Sequence, residues 1–192
     1  MRGLRMYNKN ILFLFPGILL LSIFFTFGCE TPVEDFGEDT ALMFNPSSAV
    51  IPGSDQSADV DVVVENAIGL ITARFTISFN SSLLEVSNIK TTGNGFIFHD
   101  AGATVNSLEN TYDNKNGIIV VGVGGIMKGF TGAQGDGILA TITFKSKSSG
   151  SDSLFFVDSE PNDIFMSQYS SKAAEGWVEQ TVLKFNGSIT VE

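Results

Sequence analysis

The chain offers few of the residue types that most often do chemistry or stack on sugars: one histidine (His99), one cysteine (Cys29) and one tryptophan (Trp177). With a single imidazole, any Ser/His/Asp or Cys/His arrangement has to run through His99, which follows the apolar Gly95-Phe96-Ile97-Phe98 and precedes Asp100. A loop histidine is the simpler account. Carboxylates are plentiful, but no pair stands out from the general acidity as the acid and base of a glycosidase. Asp113-Asn114-Lys115-Asn116-Gly117 looks superficially like a calcium loop, yet Lys115 intrudes and no Glu closes it. Oxygen ligands are denser in Asp158-Ser159-Glu160-Pro161-Asn162-Asp163, which makes Asp158, Glu160 and Asp163 candidates for a structural Ca²⁺; such an ion would not make an enzyme. The glycine-rich segment Gly122 to Gly137 has neither the Gly-Lys-Ser/Thr ending of a phosphate loop nor Rossmann spacing, and reads as a flexible loop whose glycines permit positive φ and close backbone approach. Trp177, Tyr112 and Tyr169 are candidate sugar-stacking aromatics, scattered rather than gathered in a strip. No catalytic residue and no cofactor is expected, structural calcium aside.

Charge narrows the partners. Lys plus Arg total 11 against 21 Asp plus Glu, and three of the basic residues (Arg2, Arg5, Lys9) fall in the first ten positions. The rest of the chain is therefore more acidic still and repels nucleic acid. The basic start leads into an uncharged run from Ile11 to Gly28, rich in Phe, Leu and Ile, which reads as an export signal over residues 1–28. Its end, Thr26-Phe27-Gly28-Cys29, resembles a bacterial lipoprotein processing box, with Thr26 and Phe27 departing from the usual residues. An uncleaved spanning anchor is the alternative, although Pro16 and Gly17 interrupt the run. Either way the domain is expected outside the cytoplasm, tethered at the cell envelope, with Cys29 as the lipid attachment point. A lone cysteine permits no internal disulfide, so stability has to come from the core. Residues 29–40 are acidic and aperiodic and read as a solvated tether.

From Ala41 the pattern is of short segments with period two, punctuated by Gly, Asn, Ser, Asp and Pro, and without a sustained helical period. One all-β domain over residues 41–192 is expected: a two-sheet β-sandwich with jelly-roll topology and about nine or ten strands. The strands are predicted at Ala41 to Asn45, Ala58 to Glu65, Leu70 to Phe79, Leu84 to Ile89, Gly95 to Phe98, Thr104 to Thr111, Gly117 to Gly124, Gly137 to Lys145, Ser153 to Val157 and Thr181 to Val191. Val60, Val62 and Val64 should face the core, with Asp59, Asp61 and Glu65 outward. Ile71, Ala73, Phe75, Ile77 and Phe79 should do likewise, with Thr72, Arg74, Thr76 and Ser78 outward. In the later strand Ile138, Ala140, Ile142 and Phe144 are assigned to one face, and Leu139, Thr141 and Thr143 to the other. Asn116-Gly117 predicts a type I′ hairpin turn between the strand ending near Tyr112 and Gly117-Ile118-Ile119-Val120-Val121-Gly122.

Four pieces in order resemble the cohesin domain, a jelly-roll relative of carbohydrate-binding modules. Residues 73–89, ARFTISFNSSLLEVSNI, are similar to its alternating strand, polar turn and Leu-Glu-Val. Gly135 to Phe156 resembles its Gly-x-Leu-x-x-Ile-x-Phe strand with the turn and strand that follow, FNGSITVE its closing strand, and IPGSDQSADVDVVVENA its opening hairpin. The resemblance implies a non-enzymatic module that binds a dockerin-bearing protein through an exposed sheet face and takes part in polysaccharide degradation. Carried over by position, Thr72, Arg74 and Thr76, with Ile118, Val120 and Gly122 on the neighbouring strand and Tyr112 near its start, would form that face; Arg74 departs in sign from the small polar or acidic residues usual there. A carbohydrate-binding surface module and a structural or adhesion protein of the envelope remain the alternatives.

Overall fold

The computed structural model describes residues 39–127, 132–157, 164–169, 177–179 and 181–192. The organising element is β3 (Ser57–Ser78), a single strand of 22 residues where the sequence predicts two. Its two apolar stretches are joined rather than separated because Asn66 (φ 55) and Gly69 (φ 63) take the left-handed conformation, and the register slips there without the chain leaving the sheet. The N-terminal half of β3 lies between β1 (Ala41–Asn45) and β7 (Ala133–Ser146). Its C-terminal half lies between β6 (Ile118–Ile126) and β9 (Ile164–Tyr169). One strand thus belongs to both layers of the sandwich.

The first layer runs β11 (Leu183–Phe185), β1, β3, β7, β4 (Leu84–Lys90). The second runs β10 (Trp177–Glu179), β9, β3, β6, β5 (Thr104–Asp113). Beside the end of β3, β8 (Gly150–Phe156) continues to β12 (Gly187–Val191) and β2 (Ser48–Ile51). Consecutive strands change layer between β4 and β5 and again between β6 and β7, which is the winding of the expected jelly roll; the described residues hold twelve strands.

Alternation decides the core. Val60, Val62 and Val64 of the first layer meet Phe75, Ile77, Ile119, Val121 and Val123 of the second, all buried. Phe44 stacks on Phe156 at 4.5 Å between ring centroids, and Phe156 meets Phe75 edge-on at 6.2 Å, tying β1, β3 and β8 together. Phe79 meets Phe144 edge-on at 5.7 Å, which closes the β3/β7 end.

Several local expectations give way to tertiary constraints. Gly95 to Phe98 does not form a strand; Gly93 and Gly95 have positive φ, and the short α1 (Ile97–Asp100) buries the consecutive Phe96, Ile97 and Phe98, which an alternating strand does not do. Leu139 is buried and Ile138 turns outward, because a bulge opposite Val62 and Val63 inserts Leu139 between the pairs Val62↔Ala140 and Val63↔Ile138. The closing segment splits into β11 and β12 around Asn186, whose Oδ1 accepts from Phe156 N at 3.2 Å. β2 pairs parallel with β12 rather than as a hairpin with β3. The glycine-rich segment is largely strand rather than loop: Gly122, Gly124 and Gly125 lie in β6 and Gly135 and Gly137 in β7.

The hairpin of β5 and β6 is present, but its turn is a four-residue loop in which only Gly117 has positive φ (68°). Asp113 organises it, accepting from Lys115 N at 2.8 Å, Asn116 N at 3.1 Å and Asn116 Nδ2 at 2.6 Å. These bonds, those from Asn116 first, hold the Asp113 carboxyl below its ordinary 3.8. A depressed folded-state value means that the stabilisation is complete above the unfolded value and is lost as pH falls through the folded one. The melting temperature is therefore expected to drop on acidification below about pH 4. Comparing the wild type with Asp113→Asn by calorimetry between neutral pH and pH 2–4 checks it, because the variant should lose less over that range.

Candidate partner-binding face

The outer side of the β9–β3–β6–β5 sheet is built in cross-strand rows. Register places Thr72 beside Gly124, Arg74 beside Gly122, Thr76 beside Val120 and Ser78 beside Ile118. The same β6 residues stand beside Asn106, Glu109, Thr111 and Asp113 of β5. Directly opposed residues point to the same side, so each row is a continuous surface of three strands.

The central row carries the charge. Gly122 has no side chain, and Arg74 reaches across it, Nε donating to Glu109 Oε2 at 3.3 Å; the two side chains are 36 % and 41 % exposed. A Cβ at Gly122 would stand 3.2 Å from Glu109 N and 3.4 Å from Leu108 Cβ, so β5 approaches β6 closely at this point. The approach coincides with a bulge between Ser107 and Glu109, which leaves Leu108 as the extra residue, 61 % exposed. Its Cδ1 lies 3.6 Å from where a Gly124 Cβ would be, so the leucine covers the two glycines. Leu108 and Glu109 went unnoticed in the sequence; the signal available was the break in alternation at Ser107-Leu108-Glu109.

Thr72, Arg74, Ile118 and Val120 are half-buried on this face, and Gly122 lies in its floor. Thr76 departs from expectation. It is 6 % exposed, and its hydroxyl has no hydrogen-bond partner. It sits where two strands meet on the far side of β3, with Phe75 paired to Ile164, Ile77 to Phe156, and Val157 N donating to the Thr76 carbonyl at 2.9 Å. Tyr112 departs as well: it stands beside Ile119, whose side chain is in the core, so it projects to the inner side at the rim of edge strand β5, 45 % exposed.

Of the other candidates, only Trp177 and Tyr169 are brought together among the described residues. His99 Nδ1 lies 3.0 Å from Asp100 Oδ1, with the side chains 45 % and 55 % exposed; Asp100 also accepts from Gly95 N at 2.9 Å, which ties α1 to the turn before it. The Asp113 loop is closed by its own amides. Among the described residues no group of three His, Cys, Asp or Glu could hold a metal ion. Asp158, Glu160 and Asp163 lie outside the described residues, as do Cys29 and the leader. Trp177 and Tyr169 are register partners in β10 and β9.

Comparison with known proteins adds a family. The family model described as the Cohesin domain matches residues 48–189, more than half of the chain. Solved structures share the fold. A non-cellulosomal cohesin from the archaeon Archaeoglobus fulgidus is 19% identical with a TM-score of 0.56, over 81% of this chain and 92% of that one. The seventh ScaB type I cohesin from Pseudobacteroides cellulosolvens is 17% identical with a TM-score of 0.58, over 80% and 92%. A chain of a type I cohesin–dockerin complex from Clostridium thermocellum is 16% identical with a TM-score of 0.59, over 81% and 100%. No curated protein matches the chain.

Proposed function

The chain belongs to the cohesin domain family, and from that premise we propose that it is a non-catalytic module which holds a dockerin-like protein against the outer face of β9–β3–β6–β5. The observation that carries the reading is the Arg74–Gly122–Glu109 row with Leu108 beside it: an accessible ion pair, a glycine floor and an exposed apolar side chain on a rigid sheet. Interfaces favour an accessible arginine, which is enriched among anchoring residues, Leu108 adds apolar area beside it, and a sheet supplies shape at little ordering cost. Dockerin complexes among the structural neighbours support a protein partner. The same proposal places the domain outside the cytoplasm, carried on a lipid at Cys29 beyond the acidic tether, where it would hold a polysaccharide-degrading partner at the envelope.

Titration calorimetry of the detergent-solubilised full chain against dockerin-bearing proteins and against soluble polysaccharide fragments tests the reading. Saturable heat with a dockerin, and none with glycan, is expected. Heat with glycan alone would replace the protein-binding reading with that of a carbohydrate-binding module.

A further inference from the structure

The first layer also has an outer side, and it is not uniformly polar. Across four strands one row is apolar: Phe185 of β11, Met43 of β1, Val63 of β3 and Ile138 of β7 stand in register. Phe185 is 51 % exposed, and Leu183, one row away on the same edge strand, is 44 % exposed. The bulge that buries Leu139 is what turns Ile138 into this row. A depression of about 530 Å³ lies over its Met43, Val63 and Ile138, lined also by Asn45, Glu65 and Asp136 among others, with Phe185 next to Met43 on the edge strand.

Carboxylates flank the row on both sides. Along β3, Asp59 and Asp61 precede Val63 and Glu65 follows it, all on the outer face; Asp136 of β7 joins Glu65 on the rim. Alternate residues of a strand are about 7 Å apart, so on β3 the apolar row runs between Asp61 on one side and Glu65 on the other at that spacing. Asp61 and Asp59 are held in place by the hydroxyls of Thr141 (2.6 Å) and Thr143 (2.7 Å), and Asp136 by Asn66 N (2.9 Å). The cations of this face stand away from the groove, on the β4 side: Lys145 is paired with Asp55 at 3.1 Å and Glu85 at 3.7 Å, and the Lys90 ammonium lies over the Phe96 ring at 5.3 Å. Lys184 is the register partner of Leu42, a fully buried residue, and so lies on the other side of the sheet from Phe185.

We infer that this groove is a second docking site, independent of the Arg74 face, for an extended basic segment of another protein carrying one large apolar side chain between two Lys or Arg at alternate positions. Charge chooses the occupant. An apolar side chain enters the depression between Met43, Val63 and Ile138, and residues two positions before and after it project along the same side of an extended segment, at the spacing of Asp61 and Glu65 from Val63. A second copy of this chain, or its own acidic tether, would instead bring like charge to the rim.

Fluorescence anisotropy of a labelled Gly-Lys-Ser-Phe-Ser-Lys-Gly peptide added to the full chain in detergent tests the inference. Saturable binding is expected, weakening about fivefold or more as salt rises from low to physiological ionic strength. The isosteric pair Glu65→Gln and Asp136→Asn, which keeps the Asn66 acceptor, should weaken it about as much at low salt, and Phe185→Ser, which removes apolar surface without adding charge, should weaken it too, each with an unchanged melting temperature. Arg74→Glu should leave peptide affinity unchanged. Failure to saturate, equal binding of a peptide with Glu in place of both Lys, or indifference to Phe185→Ser would overturn the inference. So would a concentration-dependent dimer in sedimentation that Phe185→Ser abolishes, since the groove would then belong to a second copy.

Discussion

Replacing Arg74 by glutamate is expected to weaken capture of a protein partner by about thirtyfold or more while moving the melting temperature by no more than a few degrees. Both halves follow from where the guanidinium lies. It bridges a glycine to reach Glu109 on a strand that is itself an edge, and more than a third of either side chain remains in water. An ion pair so exposed contributes at most about 1 kcal/mol to folding, because solvent screens it and both side chains lose rotamer freedom in making it. At an interface the same group would be desolvated by the partner, and arginines in that position are among the residues whose loss costs most. The substitution also sets two carboxylates across Gly122, turning a mixed patch into an acidic one. Exchanging the charges, Arg74→Glu together with Glu109→Arg, should restore the melting temperature without restoring affinity, because a partner docked on this face would meet each sign on the wrong strand. Calorimetric titration and thermal denaturation of the three chains check this. A melting temperature lowered by more than about 10 °C would make Arg74 a packing residue, and unchanged affinity would remove this face from the binding reading.

What could be read from the sequence, and what could not, divides along a physical line. Period-two alternation is local, so the inward set Val60, Val62, Val64, Ala73, Phe75 and Ile77 was legible and is buried. The cohesin resemblance and the sandwich were legible too, since strand order is written in the chain. Properties of two strands taken together were not. Leu139 and Ile138 exchange faces because of a bulge defined by the partner strand, and nothing in Gly137-Ile138-Leu139-Ala140 marks which residue is the extra one. Arg74 looked like a lone charge until register brought Glu109, 35 positions later, across Gly122. Thr76 has the residue type and parity of an outer position, yet it is buried because β8 and β9 meet against β3 at that point. Tyr112 is close to β6 in sequence, but its register partner Ile119 takes it to the other side of the sheet. The second groove was illegible for the same reason: Phe185, Met43, Val63 and Ile138 are far apart in the chain and adjacent only in the sheet.

Gly117→Ala is expected to cost about 2–4 kcal/mol and to lower the melting temperature by roughly 5–15 °C, a larger loss than any substitution on the exposed faces. Two separate effects add. At φ 68° an alanine is held in the left-handed region, which costs about 1–2 kcal/mol by itself. The added methyl would also run into the backbone carbonyl of Phe79, which cannot rotate aside as a side chain would. That carbonyl is fixed because the loop is fastened to the turn after β3 and to β4 at several points. Phe79 N donates to Gly117 O at 2.9 Å, Ser81 Oγ to Lys115 O at 3.1 Å, and the Asn114 amide both accepts from Val86 N at 2.7 Å and donates to Val86 O at 2.9 Å. Relieving the collision therefore means lifting the β5–β6 hairpin off the β3–β4 turn, and with it the strands that bear Ile118, Val120, Gly122 and Glu109. Gly102→Ala separates the two contributions, because Gly102 has a similar φ of 72° and its added Cβ would meet open space. Thermal denaturation of the two variants should show the Gly102 substitution losing only the conformational part. Amide exchange should quicken in β5 and β6 of the Gly117 variant alone. Equal losses in the two variants would mean that the Phe79 carbonyl yields freely, and the hairpin would then not be a rigid support for the face it carries.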